Sequence, residues 1–368
     1  MTADGHLQVY DLILKTRSPL FIGSGYVKKE NEYIFDARSG AVRMISMESL
    51  FSKLIEKGLV DDYEKFVLSG NKSLYDFLKN CRFSEGEISA MCLYRIDAAD
   101  ALDGEHSLKE IHTFVRNTEG KVYVPGSSVK GALRTAILSA MMEKEQKGKW
   151  PDARNKGVKA KQMQELEGEY LNTLELKKDK KTGARLNDAV NSIMRGIALS
   201  DSLPLPESCI ALVGKTDALP TGEMRKLPLC RECVKPDSLI HMKLTIDASV
   251  LGNDFNAETL KADIRRFDSF YSEVIVSAFT KPTNCASLSY SDCLIFGGGS
   301  GFFVKSLAYQ YLGFDDALDY VAGEMQAQFR QHKHDKDISV HGISPHTLKY
   351  GKYNGKLYPY GICEVAFI

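Results

Sequence analysis

The sequence predicts a mixed α+β fold built from split β–α–β elements of the ferredoxin-like kind, arranged in two units. Three observations carry this. LQVYDLILKT at 7–16, LIHMKLTIDASV at 239–250 and the closing GICEVAFI read as strands. Val129, Leu133, Ile137 and Met141 recur at helical spacing, as do Leu318, Val321, Met325 and Phe329. Strand and helix signals alternate in both halves of a chain of 368 residues, a length that suits two domains.

Taken in order, the strand at 7–16 leads into a turn-like RSPLFIGSG and then YVKKENEY, which is too charged for core. Met47, Leu50, Phe51, Leu54 and Ile55 mark an amphipathic helix over 46–57, with Gly58 as its stop. Short helices are expected in 61–80. KVYV at 121–124 is a β-prone run ending at Pro125, and a helix follows over PGSSVKGALRTAILSAMMEKE. Ser127 or Ser128 can cap it, because a hydroxyl accepts from the free N–H groups of a first turn. Residues 144–185 are rich in Lys and Glu and read as a helical, charged insertion in the first unit, with KKDKKTG its loosest part.

A short helix near 187–195 and β-rich sequence through the 230s complete the first unit, 1–235. The second, 236–368, opens on the strand at 239–250. Leu260, Ile264, Phe267, Tyr271, Val274 and Ala278 then mark a long helix. LIFGGGSGFFVKS reads as a strand, a glycine-rich loop and a helix start.

Composition narrows the function classes. With 43% apolar and 26% charged residues the chain can bury a core. Lys+Arg and Asp+Glu are equal at 48 each, so any nucleic-acid partner must be met by a local patch rather than a basic coat. The 8 cysteines show no repeating spacing and are expected to be reduced thiols. The N-terminus lacks a signal-peptide pattern, and no apolar run approaches the ~20 residues of a membrane span. The expectation is a soluble cytoplasmic protein with no membrane partner.

PGSSVKGALR at 125–134 is the sharpest motif. Gly126 and Gly131 have P-loop spacing, but Ala132 and Leu133 stand where that loop needs Lys and Ser/Thr, so nucleotide binding is rejected here. A helix N-terminus with Lys130 and Arg134 on one face remains, a general form of phosphate clamp; the alternative is a capped helix with two solvated cations. The second motif, Gly297 to Gly301, packs four glycines into five positions, with Lys305 one turn later. That suits a backbone in close approach to something, or simply a tight turn. Cys230-x-x-Cys233 has no second pair, and its KLPLCRECVK setting reads as a strand, so no metal is expected. His332 and His334 lie in a charged stretch and are expected to be solvated. His6, His112 and His341 have no partner visible in the sequence.

Together GSG at 23–25, PGSSVKGALR, GGGSG and the closing PHTLKYGKYNGKLYPYGICEV resemble the RAMP superfamily of CRISPR-associated proteins. Within it, the charged insertion, SDS at 200–202 and LPLCRECVKPDS resemble a capping subunit of the type III-A, or Csm, interference complex. The resemblance implies two RRM-like domains and a non-catalytic role in antiviral defence. It implies guide RNA (crRNA) as ligand, bound at its 3′-ward end, with a part in guide maturation. It also implies a neighbouring backbone RAMP subunit and host nucleases as partners, and no cofactor. Ser127, Ser128, Lys130 and Arg134 match its guide-contacting loop, and Gly298, Gly299 and Gly301 its glycine-rich loop. Lys305, Lys28 and Lys29 are further candidate backbone contacts.

The family's target-cutting subunit carries an aspartate in the loop after the opening strand, and GSGYVKKENEY has none. No target cleavage is therefore expected, with Glu30 or Glu32 the only substitutes. Two rivals stand beside this reading. One is a metal-free endoribonuclease of guide precursor, using His6, His112 or His341 as acid or base. The other is a protein–protein scaffold without RNA contact.

Overall fold

A computed structural model describes residues 5–36, 39–70, 73–98, 101, 110–144 and 159–368. Residues 145–158 of the expected insertion lie outside the described residues. Ten helices and fourteen strands are described here. The strands are β1 (Leu7–Thr16), β2 (Gly23–Lys28), β3 (Tyr33–Asp36), β4 (Ala41–Ile45), β5 (Cys92–Asp97), β6 (Glu110–Phe114) and β7 (Ile197–Leu199). They continue as β8 (Ile210–Ala218), β9 (Met224–Val234), β10 (Leu239–Asp247), β11 (Cys293–Ile295), β12 (Leu348–Tyr353), β13 (Lys356–Pro359) and β14 (Ile362–Phe367). The helices are α1 (Met47–Lys57), α2 (Val60–Leu68), α3 (Leu74–Asn80), α4 (Glu85–Ala90) and α5 (Gly126–Lys144). They are followed by α6 (Lys159–Leu171), α7 (Ala248–Leu251), α8 (Ala257–Phe270), α9 (Ala308–Leu312) and α10 (Phe314–Gln328).

Two sheets organise the molecule. The smaller runs β11-β14-β1-β10-β7, with every neighbour antiparallel. Within it, β14-β1-β10-β7 has the strand order of a ferredoxin-like β–α–β–β–α–β unit, α5 lying between β1 and β7 in the chain and α8 following β10. Leu12 and Leu14 of β1 and Ile240, Leu244 and Ile246 of β10 are buried, as the alternation of a half-covered strand requires. Val129, Leu133, Ile137, Leu260 and Ile264, from α5 and α8, join the same core.

Strand pairing crosses residue 235: β1 lies between β10 and β14, which follow that point in the chain. The boundary near 235 thus falls in the turn from β9 to β10 and marks chain order; it does not part the strands of this sheet.

The larger sheet runs β2-β6-β9-β8-β5-β4-β3, and β12 joins β8 further along, with β13 beside it. YVKKENEY, expected outside the core, supplies part of β2, and Tyr33 at its end is fully buried at the start of β3. KVYV forms no strand; Val122 makes only isolated bridges to Arg116 and Leu205.

Helices α1–α4 fill the connection from β4 to β5 and enclose a second core of Leu50, Leu54, Tyr63, Phe66, Phe77 and Phe83 with their neighbours. The start and stop of α1 follow from local chemistry. Ser46 accepts from the Ser49 N–H at 3.1 Å, and Gly58 adopts φ 67°, where a Cβ is costly.

A buried polar knot pins β5, β6 and β9 together. Glu232 is fully buried, accepting from Tyr94 Oη at 2.8 Å and from the Phe114 N–H at 2.9 Å. Burial pushes its carboxyl above the ordinary range. Arg116 lies 3.8 Å from Glu232, pairs with Glu207 and stacks its guanidinium 3.7 Å from the Tyr94 ring centroid. Nothing in RECVK marks this glutamate as internal.

Candidate nucleic-acid interface

The glycine-rich loop leaves β11 and turns back against the chain's own backbone. The Gly298 N–H donates to the Phe21 carbonyl at 2.7 Å, and Ser300 Oγ donates to the Gly297 carbonyl at 2.7 Å. Gly299 sits at φ 99°, and a Cβ there would lie 2.5 Å from Arg231 Nη1 and 2.9 Å from the Tyr360 ring. Gly301 is also at positive φ, 93°, but a Cβ there would meet open space. The close approach that the four glycines imply is therefore made, at Gly297 to Gly299, to the chain's own Phe21, Arg231 and Tyr360. Helix does not resume at once, as the LIFGGGSGFFVKS pattern suggests; α9 begins only at Ala308.

The contrast between the two glycines is testable. Gly299→Ala is expected to cost about 1–3 kcal/mol from backbone strain and to displace Arg231. Gly301→Ala should cost only its strain, about 1–2 kcal/mol, and leave the loop in place. Chemical denaturation of both variants, with RNA affinity alongside, checks this.

Arg231 is the centre of the site. Its guanidinium lies between the rings of Phe21 and Tyr360, 5.1 and 5.2 Å from their centroids. Its Nε and Nη1 are buried without a hydrogen-bond partner. Register places other polar groups in line across the larger sheet. Arg231 pairs with His112 of β6, which pairs with Val27 of β2. On its other side Arg231 pairs with Val213 of β8, and β8 in turn sets Lys215 opposite Gly351 and Asp217 opposite Lys349.

The charges in this row repel one another. The Lys349 ammonium is held below the usual lysine range by burial first, then by Lys215, with Arg231 and Lys305 adding to it against Asp217. His112 is held below its ordinary value by burial and then by Arg231. Asp217 lies 3.6 Å from Lys215. A cluster of this kind gains most from an anion that brings its own negative charge. A cavity of about 430 Å³ is lined by Lys215 and, from the alternate positions of β8, β9 and β12, by Gly214, Thr216, Lys226 and Lys352. Among the described residues its lining includes no carboxylate.

The ten residues singled out from the sequence are distributed unevenly around this row. Lys305 is exposed and electrostatically coupled to Lys349. Gly299 lies against Arg231 and Gly298 against Phe21, whereas Gly301 faces open space. Lys28 and Lys29 lie at the end of β2, beside exposed Tyr26, but Lys28 pairs with Glu32 at 3.1 Å. The Lys29 N–H also donates to Glu32, at 2.8 Å.

The other four are on α5. Ser127 is exposed and Ser128 half-buried. The capping differs from the expectation of a serine hydroxyl: the helix starts at Gly126, whose N–H donates to Asp201 Oδ1 at 2.8 Å. Ser202 Oγ accepts from the Val124 N–H at 2.9 Å, so SDS at 200–202 latches the helix start. A Gly126 Cβ would lie 2.6 Å from the Ser200 carbonyl, which explains that glycine. Lys130 and Arg134 do not form a joint clamp here. Lys130 Nζ donates to the Ile197 carbonyl at 2.7 Å, its charge disfavoured by burial, and Arg134 pairs with Glu167 of α6.

Sequence reasoning missed Lys215, Arg231, Lys349 and His112 as a group. They stand on four strands, and only the pairing register unites them. Cys230 and Cys233, beside Arg231 on β9, are fully buried thiols outside any disulfide, and burial raises the Cys233 thiol far above its usual range. His6 lies 4.0 Å from Asp247 at an exposed position. The expectation that His332 and His334 are both solvated holds only for His332. His334 is 5% exposed and bonded through Nδ1 to Asp337 Oδ2 at 2.8 Å.

A fold with a ferredoxin-like sheet and this glycine loop defines a class. The model of the RAMP superfamily matches residues 13–326, and the chain belongs to that superfamily. More particularly, the chain is Csm5-like. It is 24% identical to the CRISPR system Cms protein Csm5 of Enterococcus italicus, over 98% of this chain and 97% of that protein. It is 26% identical to Csm5 of Mycobacterium tuberculosis, with 98% of both chains covered. Among solved structures, a chain of a Csm–crRNA–target RNA ternary complex of a type III-A CRISPR–Cas system matches with TM-score 0.65. That match is 16% identical and covers 97% of this chain and 100% of the other. The crystal structure of T. onnurineus Csm5 matches with TM-score 0.61 at 16% identity, over 96% of this chain and 99% of that one. These structures share its fold. No helix among the described residues is long and apolar enough to cross a membrane.

Proposed function

We propose that this chain is a non-catalytic, guide-RNA-binding subunit of a type III-A CRISPR interference complex. It caps the 3′-ward end of the guide, stacks on a neighbouring backbone RAMP subunit and supports guide maturation with host nucleases. The observation that carries the RNA contact is the row Lys349, Lys215, Arg231 and His112 beside the glycine loop, in a chain whose net charge is zero. Contacts of this kind go to phosphates, so binding tolerates sequence and weakens with salt. Exposed Tyr26 on β2 offers a ring on which a base can stack. Ser127 and Ser128, at the start of α5, are kept as a second contact to guide backbone. For the fold, the proposal is two RRM-like units, with the charged insertion between α5 and β7.

Of the two glutamates that could stand in for the missing aspartate, Glu32 is engaged by its neighbours, which supports a binder rather than a nuclease. The Glu32 carboxylate accepts from Lys28 and from the Lys29 amide. The test is binding of the purified protein to labelled guide-length RNA across a salt series, with RNA integrity read on a gel in EDTA. Salt-sensitive binding of intact RNA is the expected result. Cleavage that disappears with a single His→Ala change would establish the endoribonuclease instead.

A further inference from the structure

We propose that His334, Asp337 and His346 form a binding site for a divalent transition-metal ion, with zinc the ion its donor set suits best. The three side chains come from the segment joining α10 to β12. Each offers one ligand atom, and these atoms all lie within 4.8 Å of one another. Asp337 is fully buried, His334 is 5% exposed and His346 9% exposed. The Asp337 carboxylate faces both rings, Oδ2 lying 2.8 Å from His334 Nδ1 and Oδ1 2.6 Å from His346 Nδ1. Two imidazoles and a carboxylate make a borderline donor set that zinc favours, and three protein ligands with one open position is a common zinc arrangement.

A second observation points to a ligand at the same place. The His341 ring stacks on His346 with centroids 4.6 Å apart, and its Nδ1 is buried without a hydrogen-bond partner. His341 and His346 both line a cavity of about 440 Å³, whose wall also includes Arg225, Lys333 and Lys336. The fourth position opens there, where a water can complete the shell. The two short carboxylate contacts hold protons between the rings and Asp337, and an ion would replace those protons. Ligands around a tetrahedral ion with bonds near 2.0 Å stand about 3.3 Å apart, so binding lengthens the carboxylate contacts from 2.8 and 2.6 Å and draws in the wider ligand pairs, which now lie within 4.8 Å.

Such an ion would tie the exit of α10 to the start of β12, the strand that carries Lys349. His334 and Asp337 make the tie from the middle of the segment and His346 from its end, two residues before β12. The sequence reads the same stretch, QHKHDKD, as a solvated charge run. His346 lies nine residues beyond Asp337 and joins it only through the turn at Gly342 and Pro345.

The test uses the full chain, stripped with a chelator, loaded with Zn²⁺, dialysed and analysed for bound metal. One equivalent of zinc and a raised unfolding temperature are expected. Co²⁺ in place of zinc should give the visible absorption of a tetrahedral nitrogen and oxygen site. His346→Gln, at the least buried ligand, should abolish retention while circular dichroism shows the fold intact. His332→Ala, on the exposed ring nearby, should keep one equivalent. Zinc retention no greater than in a buffer control overturns the proposal. So does a loss of zinc in His332→Ala equal to that in His346→Gln, which would mark binding by surface imidazoles.

Discussion

A chain carrying Lys215→Gln and Lys349→Gln is expected to bind guide-length RNA at least about tenfold more weakly than the parent, a loss of about 1.4 kcal/mol. Glutamine keeps much of the length of each side chain and its packing, and removes only the charge. Each phosphate contact on a single strand contributes about −0.7 to the slope of log affinity against log salt. Losing two should make that slope shallower by about 1.4. The physical reason lies in the row itself. Lys349 is half-buried among Lys215, Arg231 and Lys305 with Asp217 as counter-charge, so an entering phosphate relieves repulsion as well as making a contact. A second double variant, Lys53→Gln with Lys65→Gln on α1 and α2, changes net charge equally, away from the row. Its affinity should stay near that of the parent. Equal losses in the two variants would mean that overall charge, rather than this site, sets the affinity.

The largest expected effect on stability is that of Glu232→Ala, about 3–5 kcal/mol. The substitution leaves the Phe114 N–H and Tyr94 hydroxyl without their acceptor in the core, each at a cost of about 1–3 kcal/mol. It also takes a carboxylate from Arg116, which retains Glu207. Glu232→Gln keeps an oxygen for the Phe114 N–H, and its loss should be clearly smaller. Urea unfolding should show a lower midpoint with unchanged slope for both variants. A loss under about 1 kcal/mol for Glu232→Ala would mean that the knot is not what joins β5, β6 and β9.

How much of this was legible beforehand depends on how local each signal is. Ser46 and Gly58 bracket α1 within one stretch of sequence, and the helix lies where they place it. The strands β1, β10 and β14 show themselves by their own side-chain patterns. Their pairing does not, because β1 meets partners more than two hundred residues away, such as Asp247 opposite Leu7. The cap of α5 is hidden from local sequence for the same reason. Asp201 stands 75 residues from Gly126, whereas Ser127 and Ser128 are adjacent. Lys130 and Arg134 looked like a clamp because only their helical spacing was visible; Ile197 and Glu167, which take them, lie elsewhere in the chain. The cationic row is the extreme case. Lys215, Arg231, Lys349 and His112 are ordinary in sequence and become a site only through sheet register.

The most direct measurement is photo-crosslinking of a guide-length RNA bearing 4-thiouridine, followed by mass spectrometry of the crosslinked peptides. Crosslinks are expected in β8, β9 and β12 around Lys215, Arg231 and Lys349, in the loop from Gly297 to Lys305, and at Tyr26. Crosslinks confined to the helices α1–α4, with none on the larger sheet or the glycine loop, would contradict the account.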